Sequence, residues 1–340
     1  MVESKSNAGP SPQLFFETVN AYQRTSAIKA AVELDVFTPM GEEEKTSQEL
    51  ASQCGTSERG MRILCDYLVV LGFLTKQANR YALTQDSAVF LNRHSPGYMG
   101  SAIEFLLSPM LADNFKDLKA AVRKGGTALS AEGTVAPEHP IWVEFARSMA
   151  PMTTLPAQNM AQLVRLAPDR NSKVLDIAAG HGKFGLAFGA EYPRAEIVAL
   201  DWPKVLEVAR ENARAAGLES RFRTIAGSAF DADYGSDYDV VLLTNFLHHF
   251  NPETCENLLR RVKAALRKGG RAAVLDFVPN EDRVTPPVAA SFSLMMLGST
   301  PGGDAYTFSE YERMFRNAGF AHTELHALAP TFESVVISQA

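Results

Sequence analysis

The spacing of apolar positions changes near residue 173. Upstream, they recur with helical periodicity. Residues 13–36 read as one amphipathic helix, with a break expected around Thr25-Ser26. Ser47–Gln53 and Ser57–Val70 fit two short helices, with Thr46 or Ser47 and Thr56 or Ser57 as caps and Gly72 as a stop. The stretch FLTKQANRYALT alternates about a polar turn and predicts a hairpin. Helix, turn, helix and hairpin together predict a winged helix. Residues 99–165 read as helical, interrupted at 125–133 and by Pro137, Pro140, Pro151 and Pro156. Downstream, short apolar runs at 173–178, 196–200, 221–226, 238–244, 271–277, 322–327 and 332–338 predict strands. Helices over 203–216, 253–267 and 307–318 fall between them, which predicts an α/β fold with a mostly parallel, two-sided sheet. The last two runs meet at Ala329-Pro330, as a hairpin would. The chain thus divides into 1–100, 101–165 and 166–340.

Composition narrows the class. At 46% apolar and 21% charged, the 340 residues suit a globular protein with a full core. The net charge of −6 argues against broad binding to nucleic acid or anionic membrane. In the second short helix, Arg59 and Arg62 are offset by Glu58 and Asp66 among many apolar neighbours, which suits packing better than reading DNA. Residues 1–12 read as a disordered tail without the apolar segment of a signal peptide, and no run is long enough to span a bilayer. Cys54, Cys65 and Cys255 are odd in number and lack C-x-x-C spacing, so reduced thiols and a cytoplasmic location are expected. His322 and His326 lie four apart in a predicted strand, where that spacing makes no helical metal clamp, and no metal is expected.

The chemistry centres on VLDIAAGHGKFG, residues 174–185. Gly180, Gly182 and Gly185 have the G-x-G-x-x-G spacing of a dinucleotide turn, which also opens methyltransferase cofactor sites. Asp201 ends the next strand, where a carboxylate can accept hydrogen bonds from ribose hydroxyls. It serves either reading, and it could also cap the helix that begins at Pro203. Asp176 discriminates: D-I-A-A-G-H-G is similar to the methyltransferase pattern D-x-G-x-G-x-G, with Ala178 in place of the first glycine. His248 follows the strand 238–244 and precedes the helix start Asn251-Pro252-Glu253. Imidazole there can act as a general base near neutral pH. Asp276 ends the adjoining strand, from which a carboxylate can orient the ring.

With FARSMAP at 145–151, VALDWP at 198–203, LHHFNPETC at 247–255 and MMLGSTPGGDAYT at 295–307, the whole chain resembles the dimeric S-adenosylmethionine-dependent O-methyltransferases of the caffeate and hydroxyneurosporene type. The resemblance implies a Rossmann-like methyltransferase sheet at 166–340 that binds S-adenosyl-L-methionine. It implies a winged-helix dimerisation domain at 1–100 and, at 101–165, a helical linker that helps form the substrate pocket. His248 matches the family's catalytic base, and Asp276 the first of two flanking acidic residues. The second acidic position falls near Ala305, where Asp304 could substitute. His249 stands at a position usually acidic and is not the expected base. Gly180, Gly182, Asp201, Trp202, Ser228, Ala229, Phe230 and Asn245 are the expected cofactor contacts. Ser228 replaces a common Asp, and Thr244 replaces the Lys of plant members. Met149, Met152, Phe292, Met295 and Met296 match pocket-lining stretches and favour an aromatic or polycyclic acceptor. The expected activity is methylation of a hydroxyl on a small molecule by a homodimer. C- or N-methylation on the same scaffold, a nicotinamide dehydrogenase, a ligand-sensing winged-helix regulator, and a protein that keeps S-adenosylmethionine structurally and catalyses something else are the alternatives.

Overall fold

The structure, a computed structural model, describes residues 9–340; the first eight positions of the expected tail lie outside the described residues. These residues form two compact units, one up to Ile103 and one from Glu104 to Ala340.

In the first unit, helices Gln13–Val19 and Ala21–Glu33 break at Asn20, not at Thr25-Ser26. Thr25 and Ser26 lie inside the second helix, their hydroxyls donating back to the carbonyls of Ala21 and Tyr22. Helices Ser47–Gln53 and Glu58–Leu71 start at Thr46 and Ser57, each hydroxyl accepting from a first-turn N–H. Gly72 ends the second with φ 85°, a left-handed conformation that costs glycine little. Strands β1 (Lys45–Thr46), β2 (Leu74–Gln77) and β3 (Arg80–Leu83) pair in the order β1-β3-β2 and complete the winged-helix arrangement.

The second unit contains a seven-stranded sheet. Its strands are β4 (Ser172–Ile177), β5 (Ala195–Asp201), β6 (Phe222–Ala226), β7 (Tyr238–Thr244), β8 (Leu266–Asp276), β9 (His322–Ala327) and β10 (Ser334–Gln339). Their order is β6-β5-β4-β7-β8-β10-β9. Neighbours from β6 to β8 are parallel, and β10 runs antiparallel to both β8 and β9. The chain order reverses at β4 and β7, and the crevice beyond their carboxyl ends is where open α/β sheets take ligands.

Strand alternation assigns each side chain to a face. Val174 of β4 packs into one core with Phe184 and Phe188 of helix Lys183–Glu191. Leu175 and Ile177 face the other core, with Leu258 and Leu259 of helix Pro252–Ala265 and Tyr311, Met314 and Phe315 of helix Phe308–Asn317. By the same parity, Asp176 faces helix Lys183–Glu191, and Asp276 faces Tyr311. Among the described residues, no helix is long and apolar enough to cross a membrane.

Gly185 lets helix Lys183–Glu191 approach β4 and β5. A Cβ there would lie 2.7 Å from Ile197 Cγ2 and 3.1 Å from Asp176 Oδ2. Replacing an open helical glycine by alanine gains about 1 kcal/mol. Overpacking costs about 1–3 kcal/mol and should win here. Gly185→Ala is therefore expected to lower the urea midpoint; a midpoint equal to the parent's or higher would contradict the close approach.

Candidate functional site

The carboxyl ends of β4, β5 and β7 bring the glycine turn, Asp201 and the loop after Thr244 to one edge of the sheet. Gly180 and Gly182 have φ of 56° and 73°, and Ala178 adopts 56° where the family pattern has glycine. Asp201 closes the turn: Oδ2 accepts from Gly180 N–H at 2.8 Å, and Oδ1 accepts from Trp202 N–H at 2.7 Å. Burial raises the Asp201 carboxyl to about 6 despite those two bonds, which act in the opposite direction. Asp176 is raised to about 7, again chiefly by burial, while the bond from Gly185 N–H to its Oδ2 opposes the rise.

The sequence reading passed over His181, inside the turn. Its Nδ1 accepts from Lys183 N–H at 3.1 Å, and its ring stacks on Phe145 at 5.8 Å. Burial drives its imidazole down to about 3, so the ring is neutral. Asp176 Oδ1, His181 Nε2 and Asn245 Oδ1 are buried and have no hydrogen-bond partner in the protein. An adenosyl cofactor fits this end of the sheet, because Asp201 stands at the tip of β5 and the buried unpaired atoms include both a donor and acceptors.

His248 lies in the short 3₁₀ turn Leu247–His249 and is 2% exposed. Its Nδ1 is 2.6 Å from Asp276 Oδ1. A carboxylate only accepts, so the Nδ1 proton points to Asp276 and Nε2 carries the lone pair. Asp276 is fully buried at the end of β8. Its Oδ1 also accepts from Phe277 N–H at 2.8 Å, and its Oδ2 accepts from the Tyr311 hydroxyl at 2.7 Å. Tyr311 was not foreseen. Its signal was a tyrosine in the buried stripe Tyr311, Met314, Phe315, Ala318, where a hydroxyl needs a partner. Burial, reinforced by the charge of Asp276, holds the phenol far above its ordinary value, so it stays a donor.

Asp304 does not take the second orienting position. Its carboxylate pairs with Arg283 at 3.2 Å and accepts from Ala305 N–H at 2.9 Å. Its backbone N–H donates instead to the His248 carbonyl at 3.0 Å. A Cβ at Gly303 would lie 2.1 Å from that same carbonyl oxygen, so the backbone there must be glycine. His249 packs edge-on to His248 and Trp142, and burial above all pushes it well below its ordinary value.

Of the five acceptor-pocket candidates, Phe292 meets the His248 ring edge-on at 4.8 Å and stacks on Phe277. Met296 is buried, Met149 and Met295 are half-buried, and Met152 is exposed. Ser228 Oγ accepts from Phe230 N–H, Ala229 is buried, and Phe230 packs on Phe250. Trp202 borders a cleft of about 460 Å³ that Val143, Arg147 and Lys204 help to line; His248 lies outside it. That cleft therefore lies on the Trp202 side of Asp201, away from His248.

Comparison with known proteins shows the family. Residues 111–321 match the O-methyltransferase domain, and residues 16–93 match the O-methyltransferase dimerisation domain. A crystal structure of a candidate O-methyltransferase from Nostoc punctiforme PCC 73102 is 60% identical with a TM-score of 0.94, covering 98% of this chain and 100% of that one. The 3-hydroxy-5-methyl-1-naphthoate 3-O-methyltransferase of Streptomyces sahachiroi is 27% identical over 91% of this chain and 89% of its own. Human N-acetylserotonin methyltransferase in complex with S-adenosylmethionine shares the fold, at 21% identity and a TM-score of 0.84 over 100% of this chain and 99% of that one. The two matched domains lead to one conclusion: the chain belongs to the S-adenosylmethionine-dependent O-methyltransferase family, whose members act on small molecules.

Proposed function

We propose that this protein methylates a hydroxyl of a small aromatic or polycyclic acceptor, with His248 as the general base. The observation that carries the reading is the 2.6 Å contact between His248 Nδ1 and a fully buried Asp276. That contact directs the basic lone pair of Nε2 away from the carboxylate. A phenol with a pKa of about 10 is mostly neutral at pH 7. Removing its proton at Nε2 as it attacks makes the oxygen a better nucleophile. Asp276 fixes the ring angle and offsets the charge of the imidazolium that forms. Tyr311 in turn fixes Asp276. Bound S-adenosylmethionine supplies a methyl group on a positively charged sulfonium. Alignment of acceptor and donor accounts for most of the remaining gain.

Gly180, Gly182, Asp201, Trp202, Ser228, Ala229, Phe230 and Asn245 would hold the cofactor. Phe292, with Met149, Met152, Met295 and Met296, would line the acceptor side. The aromatic preference draws on Phe292 beside the base and on the naphthoate relative. On this reading, residues 1–100 dimerise, 101–165 help form the pocket and 166–340 bind the cofactor. A homodimer suits helix Gln13–Val19, whose Leu14, Phe15, Phe16 and Val19 are exposed.

His248→Ala should lower kcat by about 10²–10⁴-fold while calorimetric affinity for S-adenosylhomocysteine stays at the parent's value. A parent-like kcat would remove the base from this assignment. Tyr311→Phe leaves a buried Asp276 oxygen one donor short, which should cost about 1–3 kcal/mol in urea denaturation and reduce kcat. No change in either would mean the hydroxyl is dispensable.

Asp176 also predicts a pH dependence. Its folded pKa of about 7 lies above an unfolded value of about 3.9. Between those values the folded chain keeps a proton that the unfolded chain has released, so this carboxyl erodes stability as pH rises from about 4 to about 7. Asp176→Asn lacks the effect. The melting temperature of the cofactor-free variant, relative to the parent, should therefore rise between pH 5 and pH 8; a constant difference would count against the raised carboxyl.

A further inference from the structure

His181 makes an unusual use of a helix N-terminus. The N–H of Lys183, in the first turn of Lys183–Glu191, donates to His181 Nδ1. A nitrogen that accepts carries no proton, so the proton of this neutral ring sits on Nε2. The imidazole takes up a main-chain donor at Nδ1 and keeps one of its own at Nε2–H. That ring is 2% exposed, stacked on Phe145 and tilted against Phe184 at 6.1 Å, and Nε2–H meets no acceptor in the protein. Leaving a buried donor unpaired costs about 1–3 kcal/mol, an arrangement that a bound acceptor would relieve.

The neighbouring unpaired groups have the opposite character. Asp176 holds the N–H of Gly185, two residues further along the same helix turn, and its Oδ1 has no donor. Asn245, next after β7, has an unpaired buried Oδ1. One donor and two acceptors at the tips of adjacent strands complement a group that carries an anion and a cation together. In the family's cofactor only the amino-acid end, with its carboxylate and ammonium, has that character; the adenosine end has neither.

We propose that His181 is a positioning residue that donates its Nε2–H to the carboxylate of the cofactor's amino-acid end. This rests on the family's cofactor and not on His248 as base, so its test is independent of the acceptor. Binding of two ligands is measured by calorimetry. S-adenosylhomocysteine has the amino-acid end; 5′-methylthioadenosine keeps the adenosyl thioether and lacks it. His181→Phe keeps a ring between Phe145 and Phe184 but has no N–H. It should weaken S-adenosylhomocysteine about tenfold or more, the size of a charge-assisted hydrogen bond, and leave 5′-methylthioadenosine within about twofold. His181→Gln, which restores a side-chain N–H, should recover most of the loss. Equal weakening of both ligands, no weakening of the first, or no recovery with His181→Gln overturns the proposal. Should His181→Phe fail to fold, the parent protein decides: decarboxylated S-adenosylmethionine should bind about tenfold more weakly than S-adenosylmethionine, and equal affinity overturns the assignment.

Discussion

A carboxylate with no solvent exposure must recover its lost hydration from protein donors, and Asp276 does so with three. His248 Nδ1, Phe277 N–H and the Tyr311 hydroxyl all address it. Desolvating such a group costs several kcal/mol, and hydrogen bonds to a charge return about 1.5–3 kcal/mol each, so the three are of the size needed to keep it in place. The bonds come from the 3₁₀ turn after β7, the end of β8 and helix Phe308–Asn317. One buried charge thus locks three elements together and, in the same stroke, fixes the orientation of the imidazole. Stability and the orientation of His248 are here a single requirement.

The glycine turn follows the opposite rule. Around Asp276 each oxygen is paired, whereas at the tips of β4 and β7 several buried polar atoms are not. Burial there shifts Asp176 and Asp201 upward, and the backbone bonds that each accepts only oppose the rise. The His248–Asp276 pair is finished by the fold itself; the glycine turn keeps buried polar atoms that the protein leaves unpaired.

Much of this was legible in the chain. Short apolar runs mark the strands because a two-sided sheet buries both faces, and carboxylates at run ends, Asp201 and Asp276, mark the strand tips. His248 could be placed because the strand before it and the Asn251 cap after it leave little choice of position. What failed to show has physical reasons. Tyr311 occupies a helical core stripe that looks the same whether or not its hydroxyl is used. His181 lies between two glycines, where a ring's stacking on Phe145, distant in sequence, cannot be read. Thr25 and Ser26 look like helix breakers, yet their hydroxyls bond within the helix, and the kink falls at Asn20. Asp304 has the right charge in nearly the right place, but Arg283, from a separate loop, claims its carboxylate.

The contact at Gly303 has an evolutionary side. Its backbone lies so close to the His248 carbonyl that no side chain fits, and the next residue bonds that carbonyl. Helix Pro287–Ser299, which carries Phe292, Met295 and Met296, ends just before this seam. The segment that carries Phe292, Met295 and Met296 is therefore stitched to the main chain of His248. Lengthening or shortening the segment would drag the imidazole with it. Side chains along the helix can change freely by comparison, while the seam keeps its length.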